Sequence, residues 1–388
     1  MAGTHYDAVV IGGGIHGAGV AQAVAAAGHS VLLLEKNEPA FGTSSRSSKL
    51  IHGGLRYLES GQFSLVRESL HERELLLRNA PDLVRLVPFY IPIYRQTKRR
   101  PWQIRIGLSL YSLLGGLGRN TRFRTLPRTE WPKLSGIRTD GLQAVFEYYD
   151  GQTDDAQLTH AVLRSATSQG ADVIYPTRFL SAAKGDDCYQ VDYQHHDQRQ
   201  QCEATVLINA AGPWINLVRD GISPLPPQME IELVQGAHLV LDRKFSDGVI
   251  YVEAPSDGRA VFIMPWKEGA LVGTTETVFR GLPDDVRIQE AEVAYLEETL
   301  EHYFPGHGGS VTNSFAGLRV LPADKTSPFG RSRETTLLTE RPDRPTYVGI
   351  YGGKLTAYRA TAEKVVRLIR SSLPTREPRA NLRTLRLK

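Results

Sequence analysis

"VVIGGGIHGAGVAQAVAAAG", Val9 to Gly28, decides the fold. A short apolar run breaks into glycines, and an alanine-rich stretch without proline follows. Asp7–Ile11 reads as a buried strand, and Ile15–Ala27 as a helix that ends at Gly28. Val31–Leu34 is a second buried strand. Strand, helix and strand in that order open a doubly wound sheet. The turn between the first two elements is Gly12-x-Gly14-x-x-Gly17. Gly12 permits the tight turn, Gly14 lets the backbone approach a pyrophosphate, and Gly17 lets the helix pack close to the sheet. The helix N-terminus adds free N–H groups and a positive dipole end. Glu35 stands just past the second strand, where a carboxylate can hold ribose hydroxyls and disfavours a 2′-phosphate. The cofactor is therefore FAD or NAD rather than NADP.

The bulk properties set the frame. The chain has 388 residues, 41% of them hydrophobic, enough for two packed domains. Cys188 and Cys202 make no disulfide framework and lack metal-site spacing, so a reducing compartment, inert thiols and no metal are expected. No signal peptide is evident at the N-terminus, and no run of about eighteen apolar residues marks a membrane span. The net charge of +4 is unevenly spread. From Asp82 to Glu130 no acidic residue intervenes, while Arg95, Lys98, Arg99, Arg100 and Arg105 cluster there. Such a block suits an anionic partner; a solvated basic face is the alternative.

Further along, Val66–Arg78 reads as a helix with Leu70 and Leu77 on its apolar side, and Pro81, Pro88 and Pro92 impose extended chain. Leu158–Gln169 is a helix, Ala171–Tyr175 a strand, and Ala204–Asn209 a buried strand leading into "NAAGPW". Glu230 to Gly273 is β-rich, Glu290–Tyr303 helical, Tyr347–Ile350 a strand and Leu355–Leu373 a long helix. The expected fold class is α/β. A Rossmann-like FAD-binding domain (1–75, 151–225, 326–375) is interleaved with an antiparallel β-rich substrate domain (76–150, 226–325), and 376–388 is a basic tail. The far strand, glycines and helix of "YVGIYGGKLTAYRATAEKVVRLI" favour FAD over NAD. A helix N-terminus near Leu355, with Lys354, can stabilise a reduced anionic flavin ring.

The motifs "GGGIHGAG", "GTSSRSSKLIHGGLRYLE", "FEYYDGQTDDAQL", "NAAGPW", "VQGAHLVL", "MPWKEGALVGTTE", "AGLRVL" and "GGKLTAYR" occur in that order. In this the sequence resembles the FAD-dependent, quinone-linked respiratory glycerol-3-phosphate dehydrogenases over about residues 5–370. The resemblance implies a fold of the glycine oxidase and D-amino-acid oxidase type. It implies oxidation of sn-glycerol 3-phosphate to dihydroxyacetone phosphate by hydride transfer to flavin N5, with electrons passed to a quinone. It places Lys36, Thr43, Ser44, Ser48, Lys49, Leu50, His52, Gly53 and Gly54 against FAD. Ala211, Gly212, Trp214, Gly353, Lys354, Leu355 and Thr356 join them. Arg56 and Tyr57 then face the substrate. Arginine's planar fork suits a phosphate, which makes Arg319 and Arg333 the expected phosphate ligands with Arg56 assisting. His238, Tyr57 and Thr275 are expected at the hydroxyl end, and Lys354 bridges flavin and substrate. His238 is the candidate base because imidazole titrates nearest neutral pH; a satisfied strand histidine is the alternative, and His52 the rival. Asp154 and Asp155 are expected to cap the helix near Ala156.

The basic segment continues into "WQIRIGLSLYSLLGGLG", where Ile106, Leu110, Leu113, Leu114 and Leu117 share a face. That pattern suits an interfacial helix on anionic lipid, or else a core helix with a basic flank. The expected setting is cytoplasmic, peripheral to the inner face of the membrane through 95–118, with a homodimer allowed and no nucleic-acid partner. Relative to the family pattern, His16 stands where asparagine is common, Gln235 where lysine is, and Val320 where proline is. Where the family pattern usually continues into a C-terminal helical domain, only the short basic tail 376–388 is expected here. Two other functions compete: an oxygen-using flavin oxidase of an amine or another 2-hydroxy compound, and a catalytically silent flavin-binding subunit.

Overall fold

A computed structural model describes residues 4–323 and 334–388. The opening unit is β1 (Thr4–Ile11), α1 (Ile15–Ala26) and β2 (Val31–Leu34). The chain continues through β3 (Leu50–Ile51), α2 (Phe63–Asn79), β4 (Val84–Tyr94), α3 (Pro101–Leu114), β5 (Arg124–Thr125) and β6 (Leu142–Thr153). Next come α4 (Asp155–Ser168), β7 (Ala171–Ile174), β8 (Thr177–Lys184), β9 (Tyr189–His195), β10 (Gln198–Asn209), α5 (Ile215–Arg219) and β11 (Ile222–Ser223). The third stretch is β12 (Ile231–Leu241), β13 (Val249–Glu253), β14 (Ala260–Trp266), β15 (Gly269–Gly273), β16 (Thr277–Phe279), α6 (Glu290–Tyr303) and β17 (Val311–Pro322). β18 (Thr336–Thr339), β19 (Tyr347–Tyr351) and α7 (Tyr358–Ile369) follow.

Nine strands form one sheet. Its parallel centre runs β7-β2-β1-β10-β19, and β18 adds an antiparallel edge. β1 alternates in the manner of a strand buried on both sides. Ala8 and Val10 face the cluster that holds α1, α4 and α7, while Val9 and Ile11 face residues of β8 and β9. α1 is buried almost all round, which its alanines and glycines allow. Ile11 pairs with Asn209, so the carboxyl ends of β1 and β10 lie side by side and the chain leaves both into glycine-bearing turns. In doubly wound sheets that edge takes the ligand.

Ten strands form the second sheet, ordered β16-β12-β15-β14-β13-β4-β6-β3, with β17 on β12 and β5 on β6. It is antiparallel except where β13 meets β4, the seam between its two sequence segments. β3 belongs to this sheet through Gln152 and Gly151, although its sequence neighbours build the other one. The stretch around Ser47–Gly54 therefore bridges the two sheets.

Three local expectations are refined. The last helix begins at Tyr358, preceded by a tighter 3-10 turn at Leu355–Ala357 whose Thr356 hydroxyl accepts from the His52 N–H. Asp154 caps α4 by accepting from Gln157 N, but Asp155 does not act as its N-cap and serves elsewhere. The basic tail is docked: Arg379 N donates to Ala26 O, Leu387 N donates to Asn79 O, and Leu387 enters the core around α1. Cys202 is buried, and burial pushes its thiol up to about 12.

Candidate active site

A cavity of about 1030 Å³ lies between the sheets. Small-molecule pockets commonly run to roughly 1,000 Å³, so this one has room for far more than a triose phosphate. The glycine turn forms one wall. Gly12 has φ +108, and a Cβ there would stand 2.7 Å from Ala210 O. A Cβ on Gly17 would stand 1.9 Å from Gly12 O, so Gly17 serves helix packing and does not line the cavity. Gly14 lines it. The Glu35 carboxylate is locked at the end of β2, accepting from Gly13 N at 2.6 Å and Asn37 N at 2.8 Å. Ser44 Oγ accepts from Ile15 N, tying the following loop to the first turn of α1. Lys36, Trp214 and Asp284 form a rim cluster: Lys36 pairs with Asp284 at 2.6 Å and lies over the Trp214 ring, whose Nε1 donates to Asp284. Thr43, Ala211, Gly212, Gly353, Leu355 and Thr356 also line the cavity.

His16 supplies the test of cofactor fit. Its imidazole is buried, both ring nitrogens lack a hydrogen-bond partner among the described residues, and burial lowers its pKa to about 4. It stands against Gly353, where a Cβ would come 2.2 Å from Nε2. Two buried polar atoms without partners are costly, and a bound group rich in donors and acceptors would satisfy them. Together with the glycine turn and the Glu35 carboxylate, the residues fit FAD.

The first part of the motif of Ser47 to Glu59, Ser47 to Gly54, crosses between the sheets, with Lys49 at φ +59 and Gly54 at φ +79, and Leu55–Leu58 continues as a 3-10 turn. Ser48, Leu50, His52 and Gly54 line the cavity; Lys49, Ile51 and Gly53 do not. Two expected cofactor contacts are thus corrected. Lys49 turns into the protein, where Nζ pairs with the buried Asp155 at 2.5 Å and donates to Ser45 O. Asp155 also accepts from Ser47 N. Burial raises the Asp155 carboxyl, and Lys49 opposes that shift. Gly53 also points away, its N–H donating to Tyr111 Oη of α3 at 2.8 Å; Tyr111 donates to Asp150, which Arg73 holds at 2.6 Å. These buried pairs clamp the loop from behind.

The substrate side gathers residues distant in sequence. The Tyr57 ring lies between two cations, Lys354 Nζ at 3.9 Å and the Arg56 guanidinium at 5.2 Å from its centroid. His238 of β12 is 2% exposed, stacks on Phe315 at 5.0 Å, and shares a 3.0 Å hydrogen bond between Nε2 and Ser48 Oγ. Its Nδ1 has no hydrogen-bond partner among the described residues. Burial, then Arg319 and Lys49, hold its pKa well below the usual histidine value, so the ring is neutral. Arg319 of β17 donates to Thr274 Oγ1 at 3.0 Å and pairs with Glu276 at 3.3 Å. Thr275 is the third correction. Its hydroxyl turns inward, accepting from Ala237 N and donating to the buried Glu292, while Thr274 and Glu276 line the cavity. Gln235 reaches the same Glu292, so the family's lysine position serves packing here. Arg333 lies outside the described residues.

Several lining residues escaped sequence reasoning. Arg46 sits within a motif already singled out; Glu276 adjoins Thr275 in another. Arg178, Phe179, Tyr251 and Phe262 come from strands with no motif, and only the pairing of the sheets brings them to the cavity.

The FAD dependent oxidoreductase family matches residues 7–367. Aerobic glycerol-3-phosphate dehydrogenase of Escherichia coli is 37% identical over 371 residues, 92% of this chain and 72% of its own. D-erythritol 1-phosphate dehydrogenase of Brucella abortus is 35% identical over 95% of this chain and 74% of its own. The FAD complex of glycerol-3-phosphate dehydrogenase from Bacillus halodurans superposes with a TM-score of 0.76 at 26% identity, covering 99% of this chain and 68% of that one. The chain belongs to the FAD-dependent oxidoreductase family, in the group that holds the bacterial glycerol-3-phosphate dehydrogenases.

Proposed function

We propose that the protein oxidises sn-glycerol 3-phosphate to dihydroxyacetone phosphate and passes the electrons to a quinone. The nine-stranded sheet serves as the FAD domain and the ten-stranded sheet as the substrate domain. The observation that carries the reading is a neutral, buried His238 under the influence of Arg319, in the same cavity as Arg56, Lys354 and the dinucleotide turn. When bound, FAD supplies an acceptor for hydride from carbon.

The chain's own groups do the rest. Arg319, with Arg56 and Lys354, attracts a dianionic phosphate and fixes the polyol in one direction. Glu276 holds the Arg319 fork in place beforehand. With Nε2–H donated to Ser48 Oγ, Nδ1 of His238 keeps a lone pair that takes the C2 hydroxyl proton. The hydroxyl proton leaves to His238 as the C2 hydrogen leaves with its electron pair, and the C2–O bond becomes the ketone. Burial keeps the imidazole neutral, with its lone pair free, while it opposes the charge that acceptance creates.

α3 supports a membrane contact. Ile104, Leu108 and Tyr111 face inward, yet Trp102, Ile106, Leu113 and Leu117 remain about 60% exposed. Leu110 and Leu114 are half-buried. Lys98, Arg100 and Arg105 flank this face, the pattern of a helix lying on anionic lipid. No described helix is long and apolar enough to cross a membrane.

Anaerobic addition of sn-glycerol 3-phosphate is the decisive test. It should bleach the visible band of the oxidised flavin, with glycerol alone inactive. No bleaching by sn-glycerol 3-phosphate, with FAD bound, would refute the substrate assignment, and longer polyol phosphates would be tried next. Co-sedimentation with anionic vesicles at low salt tests the α3 contact; protein left in the supernatant would sink it.

A further inference from the structure

Arg56 and Glu59 stand three residues apart on one tight turn. Leu55–Leu58 is a 3-10 turn, and Glu59, its C-cap, donates its N–H to Arg56 O at 3.2 Å. Side chains at i and i+3 of such a turn lie one above the other. Both residues line the cavity. Glu59 is therefore the carboxylate that the local chain offers to Arg56. Its carboxyl lies below the ordinary range, chiefly through its bond to Arg99, with Lys98 and Arg56 adding their charge against the cost of burial. A carboxylate paired with Arg56 would cancel the charge that a phosphate needs.

Glu59 is engaged elsewhere. Arg99, from the segment that leads into α3, sets its fork on it: Nε donates to Oε1, and Nη2 to Oε2 at 2.8 Å. The other side of the guanidinium is fixed as well. Nη1 donates to Glu253 Oε1 at 2.5 Å and to Tyr251 Oη at 3.3 Å, while the Lys98 N–H binds the second oxygen of Glu253 at 2.7 Å. The Arg99 side chain is 12% exposed and that of Glu59 53%. So exposed a carboxylate is held weakly by a single contact; a bidentate grip on a cation already fixed in place is the strong case. All three nitrogens of Arg99 are thus spent on protein acceptors, although it lines the cavity.

We propose that Arg99 is a positioning residue for phosphate recognition: by taking both oxygens of Glu59 it keeps that carboxylate off Arg56, whose charge then serves the phosphate end of the substrate. This rests on the sn-glycerol 3-phosphate reading above and deepens it. Arg99 acts through Glu59 and does not itself touch the phosphate. Two other roles make different predictions. A direct phosphate ligand, or a mere brace for the 3-10 turn, would be missed whether or not Glu59 carried a charge.

Arg99→Met tests the assignment in the FAD-loaded protein, alone and combined with Glu59→Gln. Anaerobic bleaching of the flavin is followed against sn-glycerol 3-phosphate concentration, giving a half-saturating concentration and a limiting rate. Arg99→Met should raise that concentration about tenfold and leave the limiting rate within about twofold of the parent, as loss of uniform binding does. Adding Glu59→Gln removes the competing charge and should bring the concentration back to within about threefold of the parent. A concentration that does not rise, or a rise that Glu59→Gln leaves in place, overturns the proposal. Should Arg99→Met fail to hold FAD, Arg99→Lys keeps a cation beside Glu253 but lacks the fork, and is judged by the same reversal. If sn-glycerol 3-phosphate does not bleach the parent, the substrate reading fails by itself. Inorganic phosphate then serves as the probe: its dissociation constant, read by calorimetry on the FAD-loaded protein, should rise in Arg99→Met and recover in the double variant. Parent protein that binds no phosphate overturns the proposal too.

Discussion

The glycine turn after β1 and the polyol side of the cavity are built on opposite plans. The turn is one contiguous run of backbone: Gly12, Gly14 and Gly17 act by what they lack, and every clash their Cβ atoms would make is with near neighbours in the fold. The polyol side is made of side chains. Arg56 and Tyr57 follow β3, His238 comes from β12, Arg319 from β17, and Lys354 from the turn before α7. A site made of backbone tolerates almost nothing at its defining positions. A site made of assembled side chains can lose one member and keep its shape.

That contrast is open to direct attack. Gly17→Val has the largest expected effect: its side chain enters the space of Gly12 O, so the protein should emerge without FAD or fail to fold, read from the flavin-to-protein absorbance ratio. His238→Asn should keep full FAD while the rate of flavin bleaching falls about 10²–10⁴-fold, the usual worth of a general base. If that variant loses FAD instead, the two regions are not separable. Lys49→Met leaves Asp155 buried without its cation and should cost about 3–5 kcal/mol in denaturant unfolding, partly relieved as Asp155 takes a proton. An unchanged stability with altered substrate KM would return Lys49 to the cavity.

Acid should act on both regions at once. The folded-state pKa of His16 is lowered from 6.5 to about 4, so its contribution to stability is complete above pH 6.5 and lost as pH falls toward 4. The full loss is about 3 kcal/mol, and His238 shifts in the same direction. Unfolding midpoints across that range check it, and His16→Asn should flatten the dependence. Thr275→Val is the smallest: it strands Ala237 N and one contact of Glu292, for about 1–3 kcal/mol of stability, with steady-state kinetics close to the parent. A marked kinetic defect would restore Thr275 to the substrate.

The misplacements share a pattern. Lys49 lies between Ser48 and Leu50, Gly53 between His52 and Gly54, and Thr275 between Thr274 and Glu276; in each triplet the flanking residues line the cavity and the middle one does not. Extended chain that alternates its faces does not account for all three, since Lys49 stands at φ +59. The partners that receive the inward groups, Asp155, Tyr111 and Glu292, were not legible in the sequence, because each is more than a dozen residues away.

By itself the sequence determined the nucleotide half of the protein. The strand, glycine turn, helix and Glu35 are local, and the steric demands that select glycine and the terminal carboxylate act between residues close along the chain. Only the tertiary structure decided the polyol half. Whether Lys49 faces cofactor or Asp155, and whether α3 buries one apolar face and leaves another exposed, depend on packing between residues far apart in the chain. Register and sheet order follow from the burial of the whole core, a sum over distant residues that no single motif contains.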